Sequence, residues 1–269
     1  MIKIDKDIIR IPDSLKIPNK KNFAKVAPTQ SRTTHKRRLE LISKGKYIDE
    51  SIYNSRYKTT DIKLALKSVY NNKCAFCEQR IEQSHVEHYR PKKVYYWLAY
   101  SWDNLLLACS TCNTNKDVKF DLETTGVSVK FINNKKNIEK INQSSADYDK
   151  IEKPKMINPE VSDPIGKIKF QKNGLINSND IRFSYTIKSC KIDRDYLNDG
   201  RRKLLDAYKK DINAELLGCK NKGDQEDRIG VITRKFVRDI KNIEEEFIAF
   251  RNYAISNNWL NDIVKEVIG

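Results

Sequence analysis

Several things are scarce in this chain, and each shortage excludes something. No run of about 18 or more apolar residues occurs, so no helical membrane span is expected. The opening stretch MIKIDKDIIRIPD carries charge throughout and lacks the apolar core of a secretory signal. A cytoplasmic location is therefore expected, and disulfides are disfavoured there. The six cysteines need another explanation. No internal repeat is found. Histidine occurs only three times, and two of the three, His85 and His88, lie close together. Acidic residues are in deficit: 36 Asp and Glu face 52 Lys and Arg, a net charge of +16. Such a field attracts polyanions, of which nucleic-acid phosphates are the usual ones. A genome rich in lysine codons is the alternative source of the same charge. Apolar residues make up 39% of the 269 positions, enough for a buried core rather than a disordered chain.

Four segments follow from the patterning. Residues 1–58 read as a basic arm, with 15 Lys and Arg against 6 Asp and Glu, including the run Lys36-Arg37-Arg38. Pro12, Pro18 and Pro28 discourage a long helix before about residue 30, and a helix is predicted near Thr34–Lys44. Residues 59–120 hold the cysteine-rich core, opened by a helix over DIKLALKSVYNN in which Asp61 is the expected cap. Ile62, Leu66, Val69 and Tyr70 share one face of that helix. Residues 121–155 are rich in lysine and asparagine and read as a polar insertion or linker. Residues 156–269 begin with a β-hairpin over GKIKFQKNGLI, where Asn173-Gly174 suits a type I′ turn, and continue as helices. Helical spacing carries Leu197 through Leu216 and then Ile232, Phe236, Ile240, Ile243, Phe247 and Phe250.

The chemistry concentrates between residues 74 and 116. Cys74-x-x-Cys77 and Cys109-x-x-Cys112 form two knuckles that suit a tetrahedral structural Zn²⁺. Four thiolates close the coordination shell, leaving no position for water, so this zinc holds the fold and does not catalyse. Cys190 and Cys219 lack a partner pattern and are expected to be small buried residues. Between the knuckles, Val86-Glu87-His88-Tyr89 alternates as a strand does. A regular strand would send Glu87 and His88 to opposite sides, so a bend or twist is expected there. The aromatics Tyr95, Tyr96, Trp97, Tyr100 and Trp102 are assigned to core packing ahead of base stacking.

The pieces CAFCE, EHYRPK, WLAYSWDNL and CSTCNTNK resemble, in that order, HNH endonucleases with zinc knuckles. The likeness is stronger to the HNH nuclease subunits of Septu anti-phage systems, which also occur beside some retrons. MINPEVSDP (156–164) extends it, so that it covers residues 74 to about 200. The resemblance implies an α+β fold: a treble-clef-like ββα-metal core with structural zinc, embedded in a mainly helical protein.

It also implies roles. His88 matches the general base, whose imidazole can take a proton from water. Glu87 and Asn113 match the ligands of a second ion, and two oxygen donors suit Mg²⁺ or Mn²⁺. Asn104 matches the middle asparagine, which ties the loop and orients the base without touching the metal. Arg90, Lys92 and Lys116 are candidates for phosphate contacts. His85 is read as solvated, with a place beside Glu87 as the other option, and His35 as surface. The reaction implied is single-metal phosphodiester hydrolysis that leaves a 5′ phosphate, on DNA first and on RNA such as tRNA as the alternative. Expected partners are a PtuA-like ABC-type ATPase and nucleic acid, with a reverse transcriptase and its msDNA if a retron is present, and no membrane. The competing reading is a non-catalytic zinc-stabilised module that binds nucleic acid.

Overall fold

Leu105, Leu106, Leu107 and Ala108 form a strand with no exposed residue. Only a strand covered on both faces is apolar at every position, and the rest of the chain is arranged around it. The structure is a computed structural model that describes residues 1–18, 29–124 and 126–268. Its helices are α1 (Thr29–Lys44), α2 (Ser51–Asn54), α3 (Thr60–Val69), α4 (Ser110–Lys116), α5 (Lys135–Glu139), α6 (Ser145–Glu152), α7 (Ile181–Ser189), α8 (Asp195–Leu216), α9 (Lys222–Lys241), α10 (Ile248–Ser256) and α11 (Trp259–Ile268). Two antiparallel pairs complete it: β1 (His85–His88) with β2 (Leu105–Ala108), and β3 (Lys169–Phe170) with β4 (Ile176–Asn177). The first pair runs in the register His85 to Ala108 and His88 to Leu105. With α4 it makes the ββα unit within a mainly helical α+β protein. None of the described helices is long and apolar enough to cross a membrane.

The described residues of the first segment lie against the core. Met1, Ile4 and Leu15 are buried, and Lys6, also buried, donates to the carbonyls of Trp102 and Leu105 at 2.6 and 2.7 Å. The basic run divides: Lys36 is exposed, Arg37 pairs with Glu40, and Arg38 turns inward to the carbonyls of Leu15 and Tyr100. Helix α1 begins at Thr29, five residues before the expected start. Pro28 lies outside the described residues. Asp61 does not cap α3. Its carboxylate accepts from the backbone N–H and hydroxyl of Ser14, tying the first segment to the core helix.

Within residues 121–155 the described stretch 121–140 is mostly exposed, but a part of the segment that follows it docks on the core. Ile141 and Ser145 are fully buried. Asp103, carried by the turn before β2, accepts from Ser145 N, and Trp102 N donates to Asn142 Oδ1. The polar composition conceals this because the segment docks through backbone and side-chain hydrogen bonds more than through apolar mass.

The hairpin turn differs from the type I′ expectation. Gly174 alone has a positive φ there, at 87°. Its N–H bonds Gln171 O, and Gln171 N bonds Leu175 O. A Cβ at Gly174 would stand 1.9 Å from the carbonyl oxygen of Asn198, so glycine is required both for conformation and for the approach of α8. The second apolar stripe is also broken. Helix α9 stops at Lys241, and Phe247, at φ 54°, starts α10 in a new direction. The intervening residues grip the first knuckle: Lys73 Nζ donates to Glu245 O, and the guanidinium of Arg80 to Glu244 O.

Candidate metal centre and active site

Cys74 and Cys77 lie on a tight knuckle in which Cys74 N bonds Gln79 O, Glu78 N bonds Cys74 O, and Glu78 takes a left-handed φ of 63°. Cys109 caps α4 by accepting from Cys112 N at 3.4 Å. The four sulfurs all lie within 4.8 Å of one another. The Cys77–Cys109 separation is 3.9 Å, close to the ~3.8 Å tetrahedron edge that a Zn–S bond of about 2.3 Å requires. The donor set thus fits zinc. Arg194, from the distant C-terminal region, directs its guanidinium at three of these sulfurs. Of the two remaining cysteines, Cys190 is buried as expected, whereas Cys219 is partly exposed in the turn between α8 and α9.

A pocket of about 380 Å³ opens beside the strand pair. Glu87, His88 and Asn113 all line it, and exposed His85 stands on its rim. The peptide after β1 leaves the strand at once: Tyr89 N still bonds Asn104 O, while Pro91 opens the loop that carries Tyr95 to Tyr100. Within that loop Ala99 O lies 2.9 Å from His88 Nε2. A carbonyl only accepts, so Nε2 carries the proton and Nδ1 keeps its lone pair. Nδ1 has no hydrogen-bond partner among the described residues. Burial holds the ring neutral, lowering its pKa to about 3, with Lys92, Lys116 and Lys58 adding to the effect and the Ala99 bond opposing it. Tyr57 packs its edge on the imidazole, with centroids 4.5 Å apart at 78°.

Asn104 is buried and clamps the loop. Its Oδ1 accepts from Arg90 N at 2.8 Å, and its Nδ2 donates to Arg90 O and Leu98 O. Leu98 precedes the carbonyl that holds His88, so the clamp reaches the imidazole through one residue. Asn104 itself does not line the pocket.

The three cations proposed for phosphates separate. Arg90 is a correction: it is fully buried and pairs with Asp149 and Glu152 of α6. Burial of that ion pair leaves the guanidinium unable to reach a ligand in the pocket. Lys116 is likewise buried. Its Nζ donates to Glu87 Oε1 at 2.8 Å and to His88 O at 2.7 Å, so it braces the site from behind. Burial raises the Glu87 pKa, and Lys116 counters part of that rise. Lys92 does line the pocket, bonded to Tyr57 and Asn54, and burial lowers its pKa to about 8. Sequence reasoning missed Tyr57, Lys58 and Lys63, which approach from α3 and the turns before it, and Lys93. The only signals for them were the positive charge of the chain for the lysines and aromaticity for Tyr57. Of the aromatic series, Tyr95, Trp97, Tyr100 and Trp102 are buried in the core, and Tyr96 is partly exposed. His35 is half-buried against Arg38 rather than free on the surface.

Residues 74–119, which carry the ββα unit, the four cysteines and the pocket residues Glu87, His88 and Asn113, match the model of the HNH endonuclease family. The chain resembles a particular member. It is 31% identical over 138 residues to the Septu protein PtuB of Bacillus mycoides (strain KBAB4), covering 45% of this chain and 42% of that one. To the Septu protein PtuB of Bacillus thuringiensis it is 43% identical over 67 residues, covering 23% of this chain and 26% of the other. The match spans less than half the length of each of these curated relatives.

Proposed function

We propose that the chain is a metal-dependent HNH nuclease that hydrolyses nucleic-acid phosphodiester bonds, as the effector of a Septu-type defence pair. The observation that carries this reading is the single pocket lined by Glu87, His88 and Asn113, in which a neutral His88 has Nε2–H engaged and Nδ1 unpaired. His88 Nδ1 takes a proton from the attacking water. Ala99 O keeps the ring in the tautomer that permits this, and Tyr57 limits its rotation. Glu87 and Asn113 supply hard oxygen donors that fit Mg²⁺ or Mn²⁺, an ion that usually takes few protein ligands and is completed by water and substrate phosphate. When bound, that ion supplies charge stabilisation at the phosphate. Lys92, with Lys58 and Lys63, holds flanking phosphates. Lys116 keeps Glu87 in place and neutralises it until the ion arrives.

DNA is the favoured substrate, cut to leave 5′ phosphates. The likeness to PtuB supports a partner ATPase of the PtuA type, with the helical C-terminal region or the basic N-terminal arm as the docking part. Co-expression with a neighbouring ATPase should give co-purification. A non-catalytic binding module draws support from one observation, the Lys116 ammonium already balancing Glu87. Purified protein, with and without the ATPase, is incubated with DNA and with total RNA in Mg²⁺ or Mn²⁺, beside His88→Ala. Cleavage of DNA that the substitution abolishes is the expected result. Cleavage unchanged by the substitution removes His88 from the mechanism, and cleavage of neither substrate favours the binding module.

A further inference from the structure

Helix α7 ends in a turn that delivers one arginine to the thiolate cluster. Lys191 takes a left-handed φ of 47°, and Ile192 N reaches back to Ile187 O. Buried Cys190 and Ile192 anchor the turn. Arg194, just before α8, then lies over the sulfurs. Its Nη1 donates to Lys191 O at 2.9 Å and to Cys112 Sγ at 3.6 Å, and its Nη2 reaches Cys77 Sγ at 3.8 Å and Cys109 Sγ at 3.9 Å. Two nitrogens of one planar group thus serve three of the four ligands, a geometry that a lysine ammonium cannot reproduce.

The electrostatic need for this contact is direct. Four thiolates around a divalent ion leave two uncompensated negative charges next to an apolar core. N–H donors to the sulfurs offset that charge and fix the ligand geometry. Within the core the Cys112 N–H supplies one such donor, to Cys109. Cys109 is also the one of the four whose residue is only partly buried, although as a ligand it is enclosed with the others. Arg194 covers that sulfur.

We infer that Arg194 is a positioning residue for the thiolate-bound zinc, clamping Cys77, Cys109 and Cys112 and thereby fastening the C-terminal helical region to the metal core. The inference rests on the zinc reading of the four cysteines. Zinc therefore leaves slowly because a residue more than 80 positions away in sequence holds its ligands.

The test follows zinc, not cleavage. The purified full chain and its variants are mixed with excess chromogenic chelator, and the rate of zinc transfer is read by absorbance. Arg194→Met should speed transfer by about tenfold or more, the usual scale for loss of an outer-shell partner of a metal ligand. Arg194→Lys should fall between, since it keeps the charge and loses the fork. Arg202→Met removes an exposed arginine of α8 that pairs with Asp199 and Asp206 and should leave the rate unchanged. A transfer rate for Arg194→Met within about twofold of the unaltered protein overturns the inference. If Arg194→Met does not fold, Arg194→Lys decides: a raised rate supports the clamp and an unchanged rate overturns it. Unaltered protein that purifies without zinc overturns the inference and the zinc reading together, and is recognised before any variant is made.

Discussion

The thiolate cluster and the Glu87–His88–Asn113 pocket share one strand pair and one helix, yet they differ in closure and in charge. Three of the four cysteines are buried, their sulfurs crowd together, and an arginine covers the remaining side. The pocket is lined by two carboxylates, Glu87 and Asp117, with the buried neutral His88 and the exposed His85, and opens onto lysines. Helix α4 serves both: Cys112 and Lys116 lie on its buried face, while Asn113 turns to the pocket. The difference teaches how a ββα unit can hold an open pocket beside a closed thiolate cluster. Rigidity comes from the closed cluster and from buried polar clamps, so the pocket need not be sealed to stay in shape.

The largest break in this comparison comes from the closed side. Cys77→Ser removes a thiolate from a site whose metal contributes about 10 kcal/mol or more to folding in small zinc domains. We expect loss of zinc and of the native circular-dichroism signal, and cleavage lost with them. Next comes Arg90→Met, which leaves Asp149 and Glu152 facing a buried gap. Removing one partner of a buried ion pair costs about 3–5 kcal/mol, and chemical denaturation should show an unfolding free energy lowered by that amount at unchanged zinc content.

Asn104→Ala tests the link between loop and imidazole. Its amide satisfies Arg90 N, Arg90 O and Leu98 O, and leaving such groups unpaired costs about 1–3 kcal/mol. Cleavage should fall more than stability does, because the Ala99 carbonyl is then no longer fixed. The smallest effect is a pH dependence. Lys92 titrates near 8 because burial disfavours its charge, with Lys58 adding repulsion and Asp49 opposing. Its charged form exists below that pH, so affinity for a short DNA is highest there and weakens as pH rises through it. A bound phosphate moves the midpoint upward. In Lys92→Met the step should vanish from a fluorescence-anisotropy titration, while Lys63→Ala should keep the step and lower the salt slope by about one unit.

Much of the site was legible, for reasons that can be named. Paired cysteines three apart, a strand expected around Val86–Tyr89 and observed at His85–His88, and the apolar face of α3 are local patterns, and local patterns survive into the fold. Arg90 and Lys116 were misread because a sequence displays charge and not burial. Each looked like a phosphate ligand, and each is instead consumed by a partner 29 or more residues distant. Tyr57, Lys58, Lys63 and Arg194 had no signal beyond charge and aromaticity, since only tertiary packing brings them to the site. The break between α9 and α10 was missed because the apolar stripe continues through Ile243 and Phe247, although Asn242 ends the helix.

The division of labour between the two clusters is tested most directly on one sample of His88→Ala, measured for zinc content, melting temperature and cleavage of DNA in Mg²⁺. We expect zinc at one ion per chain, a melting temperature within a few degrees of the unaltered protein, and cleavage lowered by about 10²–10⁴-fold, the range set by loss of a general base. Undiminished cleavage in that sample, or zinc lost along with the imidazole, would contradict the account.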